Sequence, residues 1–309
     1  MINFRYHVVS LTAVFLALAI GLVVGTAALN GPAADALGEQ VDALRKANNQ
    51  LREQVGGLTD QANREEQFVT QAAPIMLAGK LSNRKVLVVS LPSGREQVDG
   101  ISAMLSVAGA SLAGTVVLQD KFFEADENVA LLGLASRAQP PSVPNSALPF
   151  NSDGVETSSA LLAAVLLGRS LPITQVDVTE VLSAYTKAGY LTVEGTVSGG
   201  AEAVVFVSGL PPVDRQAGSK NAAYVTMLVQ FDKHGVAAVG GVLGGDGNLV
   251  AEVRDDAVLA KSISTVDNAS TAQGQVATAL VMHEELVLTR VGHYGVGPKS
   301  SSLLPQEKK

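Results

Sequence analysis

The sequence VVSLTAVFLALAIGLVVGTAAL, residues 8–29, contains no charged side chain and only three polar ones. As a helix rising about 1.5 Å per residue it would be roughly 33 Å long, enough to cross a hydrocarbon core of about 30 Å. A helix satisfies its own backbone polar groups inside lipid, so the stretch predicts a single transmembrane helix. A cleavable signal peptide is the alternative, because Gly25-Thr26-Ala27 and Thr26-Ala27-Ala28 are passable cleavage sites.

The charges that flank this apolar stretch predict its orientation. Arg5 precedes it, whereas Asp35 and Glu39 come before the first basic residue on the other side, Arg45. The positive-inside rule therefore leaves residues 1–7 in the cytoplasm. We expect a single-pass protein of the cytoplasmic membrane whose main domain lies outside the cytoplasm.

Residues 33–73 follow with apolar side chains at alternating steps of four and three. This heptad pattern, with Leu at d and mostly Val at a, predicts a parallel two-stranded coiled-coil stalk, in which Asn48 at an a position would fix the register. A single amphipathic helix lying on its own domain is the alternative. Pro74 is expected to end or kink the helix. The residues expected in the homodimer contact, including a small-residue stripe on the membrane helix, are Gly21, Gly25, Leu37, Val41, Leu44, Asn48, Leu51, Val55 and Leu58.

From residue 82 onward, short apolar runs alternate with helical periodicity. The run KVLVVSL at residues 85–91, followed by Pro92-Ser93-Gly94, is typical of a strand buried on both faces. Strands that alternate with helices indicate a parallel sheet covered by helices. We therefore predict a doubly wound, mostly parallel α/β domain over residues 82–298 and a disordered tail over residues 299–309.

Composition excludes several functions. The 309-residue chain has a net charge of −7, which argues against nucleic acid as a partner. It contains no cysteine, so thiolate metal sites and cysteine nucleophiles are excluded. The sequence also lacks the GxSxG and HExxH motifs and any obvious carboxylate pair. We expect a protein that is not an enzyme, with no certain cofactor.

Two stretches are candidate ligand sites. Residues 240–247, GGVLGGDG, lie between a strand and a helix, where glycine-rich turns can present N–H groups to phosphate. Their spacing matches neither a Walker loop nor GxGxxG, which favours a tight crossover turn. Met282, His283 and His293 form the candidate metal site, because thioether suits Cu(I) and imidazole suits Cu(II). The alternative for the two histidines is one on a helix surface and one in a turn.

Three motifs together resemble one known family. They are FRYHVVSLTAVFLALAIG at residues 4–21, ISTVDN at residues 263–268 and VGHYGVG at residues 291–297. They look like the corresponding parts of the actinobacterial copper transport protein family MctB, members of which are also described as the cell-separation protein SteB. The length, the anchor, the heptads and the α/β body agree with that family.

The resemblance implies an envelope protein of copper homeostasis and copper export, with copper as the metal to consider. It also implies an alternative, a non-catalytic scaffold that regulates a cell-wall hydrolase and cell separation with a membrane partner, SteA. The family brings no copper ligands that could be carried over by position. One spanning helix per chain does not line a pore, so direct conduction would need many copies.

Overall fold

The structure is a computed structural model that describes residues 4–30, 32–168, 170–244 and 247–306. The chain divides into two compact units, Met1–Glu65 and Glu66–Lys309. The described part of the first unit is helical throughout, whereas the second contains a seven-stranded sheet. Residue 31, between the predicted membrane helix and the predicted stalk, and residues 245–246 of the 240–247 loop lie outside the described residues.

Helix α1, Phe4–Asn30, is the apolar N-terminal helix that the sequence predicts. Its segment Phe4–Ala27 has a mean hydropathy of 2.6, and none of it is buried. Such a helix is long and apolar enough to cross a membrane, and it begins a turn earlier than residue 8. The one helix with these properties in the described ranges is α1.

Helix α2, Pro32–Leu77, is continuous for 46 residues. The predicted seam side chains in the first unit are 40–69% exposed and are Leu37, Val41, Leu44, Leu51, Val55 and Leu58. Of the two outcomes expected at Pro74, an end or a kink, the helix does not end there: it continues to Leu77, and Ala78 N–H donates to the Pro74 carbonyl at 3.2 Å. Ala73 and Leu77 are fully buried in the apolar core of the second unit, and this packing holds the last turn in place.

The sheet of the second unit has the order β3-β2-β1-β4-β5-β6-β7. Neighbouring strands are parallel except for β3, which is antiparallel to β2. The order reverses between β1 and β4, as in doubly wound α/β folds. The strands are β1 Lys85–Ser90, β2 Ser111–Leu118, β3 Leu191–Glu194, β4 Ala203–Val207, β5 Val236–Gly240, β6 Ser264–Val266 and β7 His293–Tyr294.

Helices cover both faces of this sheet. Along β1, Val86 and Val88 face the apolar cluster that includes α3 and α10, while Leu87 and Val89 face the cluster that includes α4, α5 and α7. The α/β prediction is thus confirmed. The helices are α3 Val98–Val107, α4 Asn128–Ala138, α5 Gly154–Leu167, α6 Gln175–Lys187, α7 Ala217–Asp232, α8 Leu249–Asp255, α9 Leu259–Ser262 and α10 Ala272–Leu288.

The C-terminal tail, residues 299–309, was expected to be disordered. Its described part, up to residue 306, instead forms backbone hydrogen bonds. Ser301 N–H donates to the His293 carbonyl at 2.8 Å, and Gly295 N–H donates to the Ser302 carbonyl at 3.0 Å. Ser302 also forms a bridge with Tyr294 of β7. Backbone pairing with the last strand therefore orders this segment, while residues 307–309 lie outside the described residues.

Candidate functional site

Two of the residues predicted to bind a metal are neighbours on α10 with opposite surroundings. Met282 is fully buried in the apolar cluster on one face of the sheet. His283 is half-buried, and its Nδ1 donates to the Lys80 carbonyl at 2.7 Å. Met282 would have to leave the core to reach a metal, so Nε2 of His283 is the better placed ligand atom. The described residues contain no group of three or more His, Cys, Asp or Glu that could hold a metal ion.

The third predicted ligand, His293, uses both ring nitrogens in hydrogen bonds. Nε2 lies 3.0 Å from the Ala260 carbonyl, and Nδ1 lies 2.9 Å from Thr265 Oγ1. A carbonyl only accepts, so Nε2 carries the proton and Nδ1 accepts from the threonine hydroxyl. Burial lowers the pKa of His293, and the Arg254 charge acts in the same direction. Metal binding would require His293 to give up one of these bonds, and the three-residue metal site stays a prediction.

A buried ion pair lies next to His293. Arg254 Nη1 is 2.7 Å from Asp267 Oδ2, and the two side chains are 3% and 4% exposed. Arg254 also donates to Thr265 Oγ1 and to the Tyr294 and Pro298 carbonyls at 2.8–2.9 Å. The guanidinium thus connects α8 to β6, β7 and the segment that follows β7.

Asp267 completes this network from the other side. It accepts hydrogen bonds from Val296 N–H at 2.8 Å and Gly297 N–H at 2.9 Å. Gly295 has a φ of +123°, and a Cβ there would collide with the Asp267 carboxylate, so only glycine fits. The two C-terminal motifs that carry the family resemblance therefore belong to one hydrogen-bonded network, which connects the segment after β7 to the sheet.

A crevice opens where the strand order reverses, at the carboxyl ends of β1 and β4. Ligands of doubly wound sheets bind at this position. The loops after the two strands are joined here, since Gly209 N–H donates to Ser93 Oγ at 3.1 Å and Leu91 N–H donates to the Val207 carbonyl at 2.9 Å. We call this cavity of about 700 Å³ the switch crevice. Its lining residues are Pro92, Ser93, Arg95, Glu96, Gln97, Gly209, Leu210, Val242, Leu243 and Ser270.

Two buried polar atoms in the segments that follow β1 and β4 have no hydrogen-bond partner among the described residues, and the first belongs to a residue that lines the switch crevice. They are Oε1 of Gln97 and Oγ of Ser208, on side chains that belong to residues 9% and 3% exposed. Buried polar groups are nearly always paired, so each of these atoms needs an explanation, and a water or a ligand that reaches it would supply one.

An apolar cavity, the apolar chamber, adjoins the switch crevice. Its volume is about 640 Å³, and Val242, Leu243 and Ser270 line both cavities. Oδ1 of Asn268 in its wall is buried without a hydrogen-bond partner in the described part of the chain. The full lining is Phe68, Val69, Met76, Val242, Leu243, Asn268, Ser270, Thr271, Gln273, Val276, Val296, Leu303 and Leu304.

The described part of the glycine-rich 240–247 loop is held by backbone hydrogen bonds. Gly241 N–H donates to the Val266 carbonyl at 2.8 Å, and the Gly241 carbonyl accepts from Ala269 N–H at 2.8 Å. Asn248 caps α8 by accepting from Ala251 N–H at 2.8 Å. These bonds are those of a crossover turn between β5 and α8.

The sequence did not reveal the two cavities. Pro92-Ser93-Gly94 and Ser208-Gly209 follow buried strands, which was the available signal for the switch crevice. The apolar chamber gave no local signal, because its walls come from segments far apart in the sequence.

Comparisons with known proteins agree with the resemblance. A family model described as "Copper transport outer membrane protein, MctB" matches residues 1–305. "Copper transporter MctB" of Mycobacterium bovis and of Mycobacterium tuberculosis are each 29% identical over 321 residues, covering 98% of this chain and 99% of the relative. "Copper transporter MctB" of Mycobacterium leprae is 29% identical, covering 99% of this chain and 100% of the relative. The similarity thus includes both α1 and the C-terminal network.

Proposed function

Because the chain belongs to the MctB family, we propose that it takes part in copper transport in a cell envelope, as a protein anchored by α1. The observation that carries this proposal is the full-length similarity to relatives named copper transporters. Copper is then the transported substrate, and the more specific activity that we propose is copper export. The test is the growth of a deletion strain in copper, with and without the complementing gene. Copper sensitivity that the gene corrects supports the proposal, and unchanged tolerance contradicts it.

The proposed location is the cytoplasmic membrane, with the N-terminus inside and the domain of residues 82–298 outside. The charge bias around α1 supports this orientation, whereas the family description refers to an outer membrane. Because the chain has no cysteine, single-cysteine variants report topology directly. Val213→Cys, at a 97% exposed position, should react with a membrane-impermeant maleimide in intact cells. Asn3→Cys should react only after permeabilisation, and the reverse pattern would contradict the orientation.

The chain's own part in transport is binding and assembly, not catalysis. A single spanning helix lines no pore, so transport needs more copies of the chain or a membrane partner. The exposed seam of α2 supports pairing of two copies, because Leu44 and Leu58 are 69% and 66% exposed in one chain. Two parallel copies would bring their spanning helices together at Gly21 and Gly25.

Direct copper binding at His283 is a separate part of the proposal. Its Nδ1 is engaged, so Nε2 is the atom that would coordinate copper. His234 is a matched control, because it is also half-buried and its Nδ1 lies 3.0 Å from the Gln230 carbonyl. In titrations of the full chain with Cu(I) and Cu(II), His283→Ala should weaken binding and His234→Ala should not. Equal binding by both variants would remove His283 from the proposal.

A second candidate function is a scaffold that regulates cell separation. The exposed apolar seam of α2 favours it, since that surface can take a helix of another protein as well as a second copy. SteA and a cell-wall hydrolase are the partners that the family resemblance suggests. A deletion strain that separates normally but is copper-sensitive would count against this function. Impaired separation with normal copper tolerance would favour it over copper transport.

A further inference from the structure

We propose that the switch crevice and the apolar chamber together bind one amphiphile, with a single acyl chain in the chamber and a neutral, hydroxyl-bearing head group in the crevice. A monoacylglycerol has this chemistry. The proposal is independent of copper and concerns a different part of the domain from His283 and His293.

The chamber has the size and lining of a binding site for an apolar ligand. Its volume of about 640 Å³ falls within the range of roughly 300–1,000 Å³ that small-molecule pockets occupy. Val276 at its wall is fully buried, while Val296 and Leu303 at its rim are 57% and 62% exposed. An acyl chain that fills the chamber removes this apolar surface from water.

The head group follows from the polar and charged side chains of the crevice. Oε1 of Gln97, a residue that lines the crevice, is a buried acceptor without a donor in the described residues. Hydroxyl groups supply donors, whereas a bare carboxylate or phosphate ester does not. Arg95 and Glu96 both line the crevice, and their charges offset each other. A neutral head with hydroxyl groups therefore fits better than an anion.

The crevice does not fit a nucleotide, the usual ligand at this position. Its lining contains no aromatic side chain that could stack on a base. The backbone at Gly94 lies directly against Val207, and the backbone at Gly209 lies directly against Ser93. The two loops therefore pack on each other and leave no phosphate cradle between them.

The two cavities are close enough for one ligand. Val242, Leu243 and Ser270 line both of them, so these residues stand where the chain of the ligand meets its head. Leu243 is 48% exposed at this junction. An amphiphile that spans the junction covers the apolar surface of the chamber with its acyl chain and offers its hydroxyl groups to Gln97 in the crevice.

Tryptophan fluorescence can test this directly, because the chain has no tryptophan. Phe68→Trp places a single reporter in the chamber wall, and Val129→Trp places a matched reporter at an 84% exposed position on α4. The full chain, held in amphipol without detergent, is titrated with a monoacylglycerol whose chain is brominated. We expect saturable quenching of Phe68→Trp and none of Val129→Trp, and competition by unbrominated monoacylglycerol but not by glycerol. Equal quenching of both reporters, or quenching that does not saturate, would overturn the proposal.

Two further variants in the Phe68→Trp background test where the acyl chain and the head group of the ligand bind. Val296→Phe fills the rim and should weaken binding by about fivefold or more, while Val213→Phe, at a 97% exposed position, should not. Gln97→Leu should weaken binding of the monoacylglycerol but not of a brominated alkane. Thermal unfolding of each variant identifies any that has lost its fold. Binding that favours a free fatty acid, or that Gln97→Leu leaves unchanged, would contradict the assigned head group.

Discussion

Replacing Arg254 by Met tests whether the buried network fixes the end of the chain. The substitution removes the partner of Asp267 and the donors to Thr265, Tyr294 and Pro298 while keeping most of the side-chain volume. Breaking a buried ion pair from one side costs about 3–5 kcal/mol, because the other charge stays buried. Asp267 keeps two backbone donors, so we expect a loss near the middle of that range, about 4 kcal/mol.

The assay is urea unfolding of the full chain, followed by far-ultraviolet circular dichroism. With a slope of about 3 kcal/mol per molar urea, the midpoint of Arg254→Met should fall by about 1.3 M. Arg254→Lys keeps the charge but not the planar fork and should lie in between. The exposed Arg215→Met is the control and should change the free energy of unfolding by less than about 0.5 kcal/mol.

A local measurement separates the network from general stability. If Arg254 fixes the segment that follows β7, limited proteolysis should cut Arg254→Met at Lys299 under conditions in which Arg215→Met stays intact. A loss below about 1 kcal/mol with the same protection at Lys299 would show that the buried ion pair contributes no more than a surface pair and does not hold this segment.

The other predictions concern pH, register and backbone space. Burial raises the pKa of Glu285 from 4.5 to about 8, so the folded state holds a proton that the unfolded state releases, and stability should fall as pH rises between these values. Glu285→Gln should remove this pH dependence of the melting temperature. The same pH dependence in the variant as in the wild type would show that it does not come from Glu285. Asn48→Val should make the stalk more heat-stable but less uniquely dimeric, because an apolar a position no longer penalises other registers. Sedimentation of a fragment of residues 31–79 with and without the substitution tests this, and monomers in both cases would contradict the dimer. Gly295→Ala should lower the free energy of unfolding measured in urea, because the new Cβ meets the Asp267 carboxylate. A free energy of unfolding equal to that of the wild type would contradict that collision.

Continuous hydrophobic patterns were the reliable part of the sequence. The run at residues 85–91 predicts β1 because a strand buried on both faces needs apolar residues without interruption. The apolar run before Gly168 predicts α5, in which every residue except Glu156 is buried. Helix α1 is equally readable, since its composition leaves no other structure.

Short and tertiary features were not readable in the same way. Strand β7 has two residues, His293 and Tyr294, too few for any period to show. Pro74 stays inside α2 because tertiary packing of its neighbours outweighs the missing hydrogen bond. The same limit applies to the candidate metal site. Single residues such as His283 could be chosen from the sequence, but the hydrogen bonds that their side chains form could not be predicted from it.

The switch crevice and the apolar chamber show the same limit. The wall of the chamber contains Phe68 from α2, Val276 from α10 and Leu304 from the C-terminal segment. No local pattern connects segments this far apart, because only the tertiary packing of the two helices and the C-terminal segment brings them together.

Copper efflux from loaded cells is the direct test of the proposed copper transport. Cells that lack this chain, cells that carry it and cells that carry a version without residues 8–29 would be loaded with copper and transferred to copper-free medium. Their copper content would then be followed by mass spectrometry. If the chain exports copper, only cells with the anchored chain should lose copper quickly, and the other two strains should retain it. Equal loss of copper from all three strains would contradict it.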